Sequence, residues 1–270
     1  METTLPTQSQ LENGACSGVV TTNDSDTLIN NEHSSQLGFT SHRGAAFFCR
    51  WLKSAELFSD ASSSRILVAG CGAGHEAAFL QHYLQACVDA IDVELDPDNE
   101  LAGVPDLHFQ EASVLDLPFE SEGFDAVFYH HVIEHVADPA LSLEEIHRVL
   151  RPSGWMFVGT PNRHRLFSSV GAHEQRHWKP SLRNKVMDNV YDWKDRLTGR
   201  FRNECGAHAG FSHRELDEML SHHFETRIWL TKEYLRFKFA DHRLARLVRL
   251  ATIDLFRGFM APSIYAMCQK

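Results

Sequence analysis

Three glycines stand at every second position in Arg65-Ile66-Leu67-Val68-Ala69-Gly70-Cys71-Gly72-Ala73-Gly74, directly after an apolar run. Glycine lacks the Cβ that would block close approach and tolerates positive φ, so such a loop turns sharply and offers bare main-chain N–H groups to a ligand. A carboxylate follows at the right distance. Asp92, 22 residues after Gly70, closes the run Ala90-Ile91-Asp92-Val93-Glu94, and a carboxylate at a strand tip accepts two charge-assisted hydrogen bonds from a vicinal diol. Glu94 is the alternative acid. Together these residues predict a site for a ribose-bearing ligand. A G-x-G-x-x-G dinucleotide fingerprint would need glycine at position 75, which is His75, so the loop leans away from NAD.

A second group carries proton chemistry. Tyr129, His130 and His131 end a stretch that begins Phe124-Asp125, and Glu134 and His135 follow. Histidine titrates near neutrality, which makes His131 the preferred general base, with His130 and His135 as the other candidates. A histidine beside a helix start also serves as a hydrogen-bonded structural residue. The five residues His131-Val132-Ile133-Glu134-His135 spell H-x-x-E-H, in which i, i+4 histidines on one helix face bind zinc in inverted metallopeptidases. A catalytic zinc requires a third protein ligand and an open position, and no metal is expected here; in the simplest alternative, Glu134 and His135 tether the helix to neighbouring loops.

The elements that must position these groups alternate. Ala45 to Leu57 reads as an amphipathic helix, Ile66 to Ala69 as a strand, His75 to Cys87 as a helix, and Val88 to Val93 as a second strand. Short strands at Leu107 to Gln110 and Asp125 to Tyr129 follow, then a helix opened by Asp138-Pro139 and closed by Pro152-Ser153-Gly154, then a strand at Trp155 to Thr160. Regular alternation with short loops predicts an α/β fold, a doubly wound, mostly parallel sheet with helices on both faces. Ligands of such sheets bind at the carboxyl ends of the strands near the switch in strand order, where the glycine loop lies.

Composition excludes several classes. With 270 residues and 43% apolar content, the chain can bury one sizeable core and an appendage. A net charge of −10 argues against a protein that binds duplex nucleic acid over its whole surface. Six cysteines without a C-x-x-C pair fit free thiols in a reducing compartment, and the chain reads as cytosolic. Residues 1–36 hold five acids and no Lys or Arg, the composition of a disordered leader and not of a signal peptide.

Beyond the glycine loop come Leu117-Pro118-Phe119, Phe124-Asp125, Glu134-His135-Val136, Arg148-Val149-Leu150-Arg151-Pro152-Ser153-Gly154 and Thr160-Pro161-Asn162. In order and spacing, from about residue 60 to 165, this set resembles the class I S-adenosylmethionine-dependent methyltransferases, in particular those of quinone biosynthesis (the methyltransferase type 11 domain). The resemblance implies a seven-stranded sheet and S-adenosylmethionine as cofactor. It also implies that Gly70, Cys71, Gly72 and Gly74 pack against the methionine portion, Asp92 and Val93 hold the ribose, and Ser113 and Val114 flank the adenine. Tyr129, His130 and His131, just beyond the fourth strand, then face the sulfonium. Two positions depart from many relatives: Val68, where an acid is common, and Ser113, where Asp is common. Three alternatives remain open: a nicotinamide-type oxidoreductase, an H-x-x-E-H zinc peptidase and a catalytically silent cofactor-binding module.

On this reading residues 37–270 form the methyltransferase domain, with a substrate lid inserted at 161–210 and a helical insertion at 232–261. Residues 160–204 hold ten Lys or Arg against five acids, interleaved with Phe167, Trp178, Tyr191, Trp193 and Phe201, which points to an anionic or lipid-like small-molecule acceptor. Phe211 to Phe224 reads as a helix capped by Ser212 with Glu215 in a capping box. Thr226 to Thr231 and Ile264 to Cys268 read as the last two strands, the final one antiparallel. Asp241 to Phe256 reads as a basic amphipathic helix suited to peripheral membrane contact or to a homodimer, with a monomer the alternative. The acceptor atom is expected to be oxygen. Nucleic acid is not expected as acceptor, because Tyr129-His130-His131 stands where methyltransferases of bases carry a D-P-P-Y type of tip.

Overall fold

A computed structural model of the chain describes residues 42–55, 64–97, 101, 103–166, 182–203, 208–239, 259 and 261–270. The expected leader at 1–36 and the expected helix Asp241 to Phe256 lie outside the described residues, as do 167–181 of the expected lid. In chain order the elements are α1 (Arg43–Ser54), β1 (Arg65–Ala69), α2 (His75–Leu84), β2 (Cys87–Asp92), β3 (Leu107–Glu111) and β4 (Phe124–His130). There follow a 3-10 turn (Ile133–His135), α3 (Pro139–Val149), β5 (Leu150–Pro161), α4 (Leu182–Leu197), α5 (His213–Ser221), β6 (Thr226–Trp229), α6 (Thr231–Lys238) and β7 (Ser263–Gln269). The strands form one seven-stranded sheet in the order β3-β2-β1-β4-β5-β7-β6. This is the expected α/β fold, and the order reverses at β1/β4, beside the glycine loop.

The chain divides into two compact units. The first runs to Ser113 and adds Leu117–Phe128 and Val149–Gly154. β1 is apolar on both faces, and Ile66, Leu67, Val68 and Ala69 are buried, as a central parallel strand requires. It pairs in parallel with β2 (Ala69 opposite Ile91) and with β4 (Val68 opposite Phe128). Arg65 pins the opposite end of these strands: its N–H donates to Asp125 Oδ2 at 2.8 Å and its Nε to Asp89 Oδ2 at 2.7 Å. α1 buries Ala45, Phe48, Trp51 and Leu52, with the Phe48 ring 5.4 Å from that of Phe128. It ends at Ser54, earlier than the hydrophobic pattern predicts. α2 also stops early, at Leu84 and not Cys87, because Gln85 takes a left-handed conformation (φ 52°) and Cys87 is already in β2.

The second unit comprises Val114–Asp116, Tyr129–Arg148 and Trp155–Lys270. Asp138 caps α3, accepting from the Leu141 N–H at 3.1 Å. β5 begins at Leu150, five residues before the expected Trp155, because the Pro152-Ser153-Gly154 corner is extended apart from Ser153 (φ 65°). β7 runs antiparallel between β5 (Trp155 opposite Gln269) and β6 (Thr226 opposite Gln269), as expected of the last strand.

α5 carries the anticipated capping box. The Glu215 N–H donates to Ser212 Oγ at 3.2 Å and the Ser212 N–H to Glu215 Oε2 at 2.7 Å. Ser212→Ala is therefore expected to lower stability by about 1 kcal/mol, read as a fall in the urea midpoint at constant m.

Candidate functional site

In the first unit the glycine loop is tied to the tip of β2. The N–H groups of Gly70 and Cys71 both donate to the Ile91 carbonyl at 2.9 Å, and the Gly72 N–H donates to Asp92 Oδ2 at 2.8 Å. Asp92 Oδ1 also accepts from the Glu94 N–H at 3.4 Å. Two glycines are required for different reasons. Gly74 (φ 83°) leads into α2, and a Cβ there would stand 2.6 Å from the Phe109 ring. Gly72 (φ 49°) has no atom within 4 Å of the Cβ position, so it leaves open space beside the carboxylate. Burial and the neighbouring Asp92 push the Cys71 thiol up to about 12, which keeps it protonated. Val93 is exposed and Ser113 half-buried.

In the second unit a histidine and a carboxylate form a pair. His131 sits in the left-handed region (φ 57°) with its N–H donating to the Gly159 carbonyl at 2.7 Å. Its Nδ1 lies 3.3 Å from Glu134 Oε1, and Thr160 Oγ1 donates to Glu134 Oε2 at 3.0 Å. Burial pushes Glu134 upward, but the hydrogen bond and charge of His131, with His135 adding to them, hold it below the usual carboxylate value. The ring of His130 lies 4.5 Å from that of His131, and His135 lies 4.6 Å from His208. The 3-10 turn holds only Ile133–His135, and His131 lies before it in the left-handed region, so the two histidines of H-x-x-E-H do not share a helix face. Among the described residues no three His, Cys, Asp or Glu side chains come together as metal ligands.

Two expected site residues have other surroundings. Tyr129 is fully buried, its hydroxyl donating to Ser142 Oγ at 3.0 Å, so its ring belongs to the core. Val114 is also buried. The basic stretch after β5 in part serves the chain itself. Arg165, 2% exposed, donates to Asp192 Oδ2 at 2.9 Å and to the His208 and Ala209 carbonyls. Arg196 donates to the Arg163 and Arg165 carbonyls, and Arg163 pairs with Glu215.

Residues 67–158 match the methyltransferase domain family. A ubiquinone biosynthesis O-methyltransferase of Paracidovorax citrulli is 36% identical over 118 residues, covering 40% of this chain and 49% of that protein. A probable S-adenosylmethionine-dependent methyltransferase of Mycobacterium tuberculosis is 35% identical over 103 residues, 36% of each. The chain thus spans about half the length, or less, of these relatives. A second ubiquinone biosynthesis O-methyltransferase, from Parvibaculum lavamentivorans, is 30% identical over 193 residues, 67% of this chain and 70% of that protein. The chain belongs to the class I S-adenosylmethionine-dependent methyltransferases. The structure of the CurJ carbon methyltransferase, 12% identical, shares the fold with a TM-score of 0.54 over 88% of this chain and 58% of that one.

Membership favours S-adenosylmethionine as the cofactor over a nicotinamide or a catalytic zinc. The loop of this methyltransferase fits that cofactor, since Gly72 leaves space where a side chain would intrude and the Asp92 carboxylate stands beside it. Glu134, Thr160, Arg165 and Asp192 were absent from the expected site. The Glu-His of the E-H-V segment was the available signal for Glu134; nothing local pairs Arg165 with an acid 27 residues away.

Because Glu134 is held low in the folded chain, it contributes stability above its ordinary value of 4.5 that is lost as pH falls through its lowered value. The difference in unfolding free energy between wild type and Glu134→Gln should narrow as pH drops below 4.5, measured by urea titration at several pH values.

Proposed function

We propose that this methyltransferase transfers a methyl group to the phenolic oxygen of a small aromatic acceptor bearing a lipid tail. The observation that carries the donor side is the Gly72 N–H to Asp92 bond, which sets a strand-tip carboxylate at the glycine loop. Gly70, Cys71, Gly72 and Gly74 would receive the methionine portion, Asp92 and Val93 the ribose, and Ser113 and Val114 the adenine. When bound, S-adenosylmethionine supplies a methyl on a positively charged sulfur, so the chain must align the acceptor oxygen, exclude water and remove a proton. His131 is the base, with Nδ1 turned to Glu134. His130 borders it, His135 adds its charge to Glu134, and Tyr129 contributes its main chain because its hydroxyl is held by Ser142.

The names of several relatives favour oxygen. Two are O-methyltransferases of ubiquinone biosynthesis and one is a tocopherol O-methyltransferase of Arabidopsis thaliana. A lipid-like acceptor is favoured over an anionic one because Arg163, Arg165 and Arg196 are engaged by the chain's own acceptors. α4 offers the complementary feature. Val186, Val190, Trp193 and Leu197 recur on one face at 55%, 52%, 46% and 85% exposure and line a groove of about 740 Å3 with Lys194. An apolar stripe beside a cation suits peripheral contact with an anionic bilayer, and α4 would form part of a lid over the acceptor. Among the described residues no helix is long and apolar enough to cross a membrane.

Calorimetry with S-adenosylhomocysteine should give at least a tenfold weaker Kd for Asp92→Ala; equal affinity would remove the ribose assignment. With labelled donor and a farnesylated catechol, His131→Gln should lose roughly 10²- to 10⁴-fold in kcat, whereas wild type that binds the donor but methylates neither this phenol nor its tail-less parent would end the acceptor reading. In flotation with vesicles containing anionic phospholipid, Trp193→Glu should reduce bound protein several-fold while leaving homocysteine-adduct affinity unchanged.

A further inference from the structure

We propose that Glu134 is the positioning residue for the proton transfer: by engaging Nδ1 it fixes His131 in the tautomer whose Nε2 takes the acceptor's proton, and it steadies the imidazolium that forms. This rests on the reading of His131 as base.

The geometry is over-determined at this point. A histidine at φ 57° is in the left-handed region, which residues other than glycine adopt only where their surroundings hold them there. The His131 N–H bond to the Gly159 carbonyl in β5 holds it there, and the 3-10 turn returns Glu134 beneath the ring. Left-handed backbone at His131 therefore serves to bring side chains three residues apart together at 3.3 Å. Glu134 is 1% exposed at its side chain while that of His131 is 35% exposed, so the pair has a buried carboxylate end and a solvent-facing imidazole end. Burying a carboxylate is costly unless its oxygens are satisfied. Oε1 meets His131 and Oε2 accepts from Thr160, so neither oxygen is left without a partner.

Which ring nitrogen carries the proton is set by the hydrogen bond made by the other. A carboxylate at Nδ1 demands N–H there, which assigns the lone pair to Nε2. When the acceptor's O–H bond breaks, its proton forms the new N–H bond at Nε2, and the resulting positive charge is shared with Glu134. The proton later leaves to water and the neutral tautomer returns. Other groups near the pair include His130 from β4, at 4.5 Å between rings, Tyr265 from β7, at 6.3 Å, and Tyr129 from β4, and burial keeps both tyrosine hydroxyls protonated. His135 acts on Glu134 by charge and favours its ionised form, and the charge of Glu134 in turn favours that of Arg165. A carboxylate whose task was only to close the turn would be replaced equally well by an amide.

The test uses the full chain with 15N-labelled histidine. The His131 signals are identified by their loss in His131→Gln, and donor-site integrity is checked by S-adenosylhomocysteine calorimetry. In Glu134→Gln the His131 titration should move to lower pH and its Nδ1–H signature should fade, with kcat on the farnesylated catechol falling roughly 10- to 10³-fold at little-changed KM. Glu134→Asp should recover part of both. Should Glu134→Gln fail to bind S-adenosylhomocysteine, Thr160→Val decides, with the same shift expected in smaller degree. An unmoved His131 titration in a variant that still binds S-adenosylhomocysteine overturns the proposal. Wild-type turnover by His131→Gln overturns the base assignment instead, a separate result.

Discussion

The parallel pairing of β1 with β2 sets where the glycine loop and Asp92 lie. With Ala69 opposite Ile91, the Ile91 carbonyl accepts from both Gly70 and Cys71, and the next residue, Asp92, arrives level with Gly72. A slip of one residue would turn Asp92 to the other face of the sheet and bring an apolar side chain to the loop. The register is held from the far end by Arg65, which joins β1 to Asp89 of β2 and to Asp125 of β4. Chemistry at the carboxyl ends of these strands thus depends on an ion pair and a hydrogen bond at their amino ends.

The second unit solves a different problem, that of keeping charge in the interior. Glu134 and Arg165 are both buried, and each is satisfied in its own way. Glu134 has a hydroxyl and an imidazole; Arg165 has Asp192 and main-chain carbonyls, with its Nε alone lacking a hydrogen-bond partner among the described residues and its guanidinium 5.0 Å from the Phe201 ring. The charge of Glu134 also supports that of Arg165 against desolvation.

Much of this was legible in the residues, and the division between what was and was not has a physical basis. The glycine loop, Asp92, the alternation of strands and helices and the Ser212 capping box are local patterns, each written in a few consecutive residues or in periodicity. The end of α2 was read less well because a single left-handed residue, Gln85, decides it, whereas β5 continues through the left-handed Ser153. The contacts of the second unit were not legible because they join residues distant in sequence: Glu134 with Thr160, Arg165 with Asp192, Tyr129 with Ser142. A count of basic residues after β5 suggested an anion site, yet three of those cations have partners that only folding brings near. Conversely, reading H-x-x-E-H as a helix face failed because a positive φ at His131 replaces the helix by a tight turn.

The Arg165 to Asp192 pair also explains why α4 can present an apolar face outward. A buried ion pair adds little net stability, because desolvation consumes most of the Coulombic gain, but breaking one partner costs several kcal/mol. Its effect is therefore on placement. Asp192 lies on the opposite side of α4 from Val186, Val190, Trp193 and Leu197 at 3.6 residues per turn, and Arg196 adds bonds to the Arg163 and Arg165 carbonyls on the flank between them. Hydrophobic burial alone would favour turning that stripe inward, at about 25 cal/mol per Å2 of apolar surface. The Asp192 contact and the two Arg196 contacts, all away from that stripe, oppose this rotation.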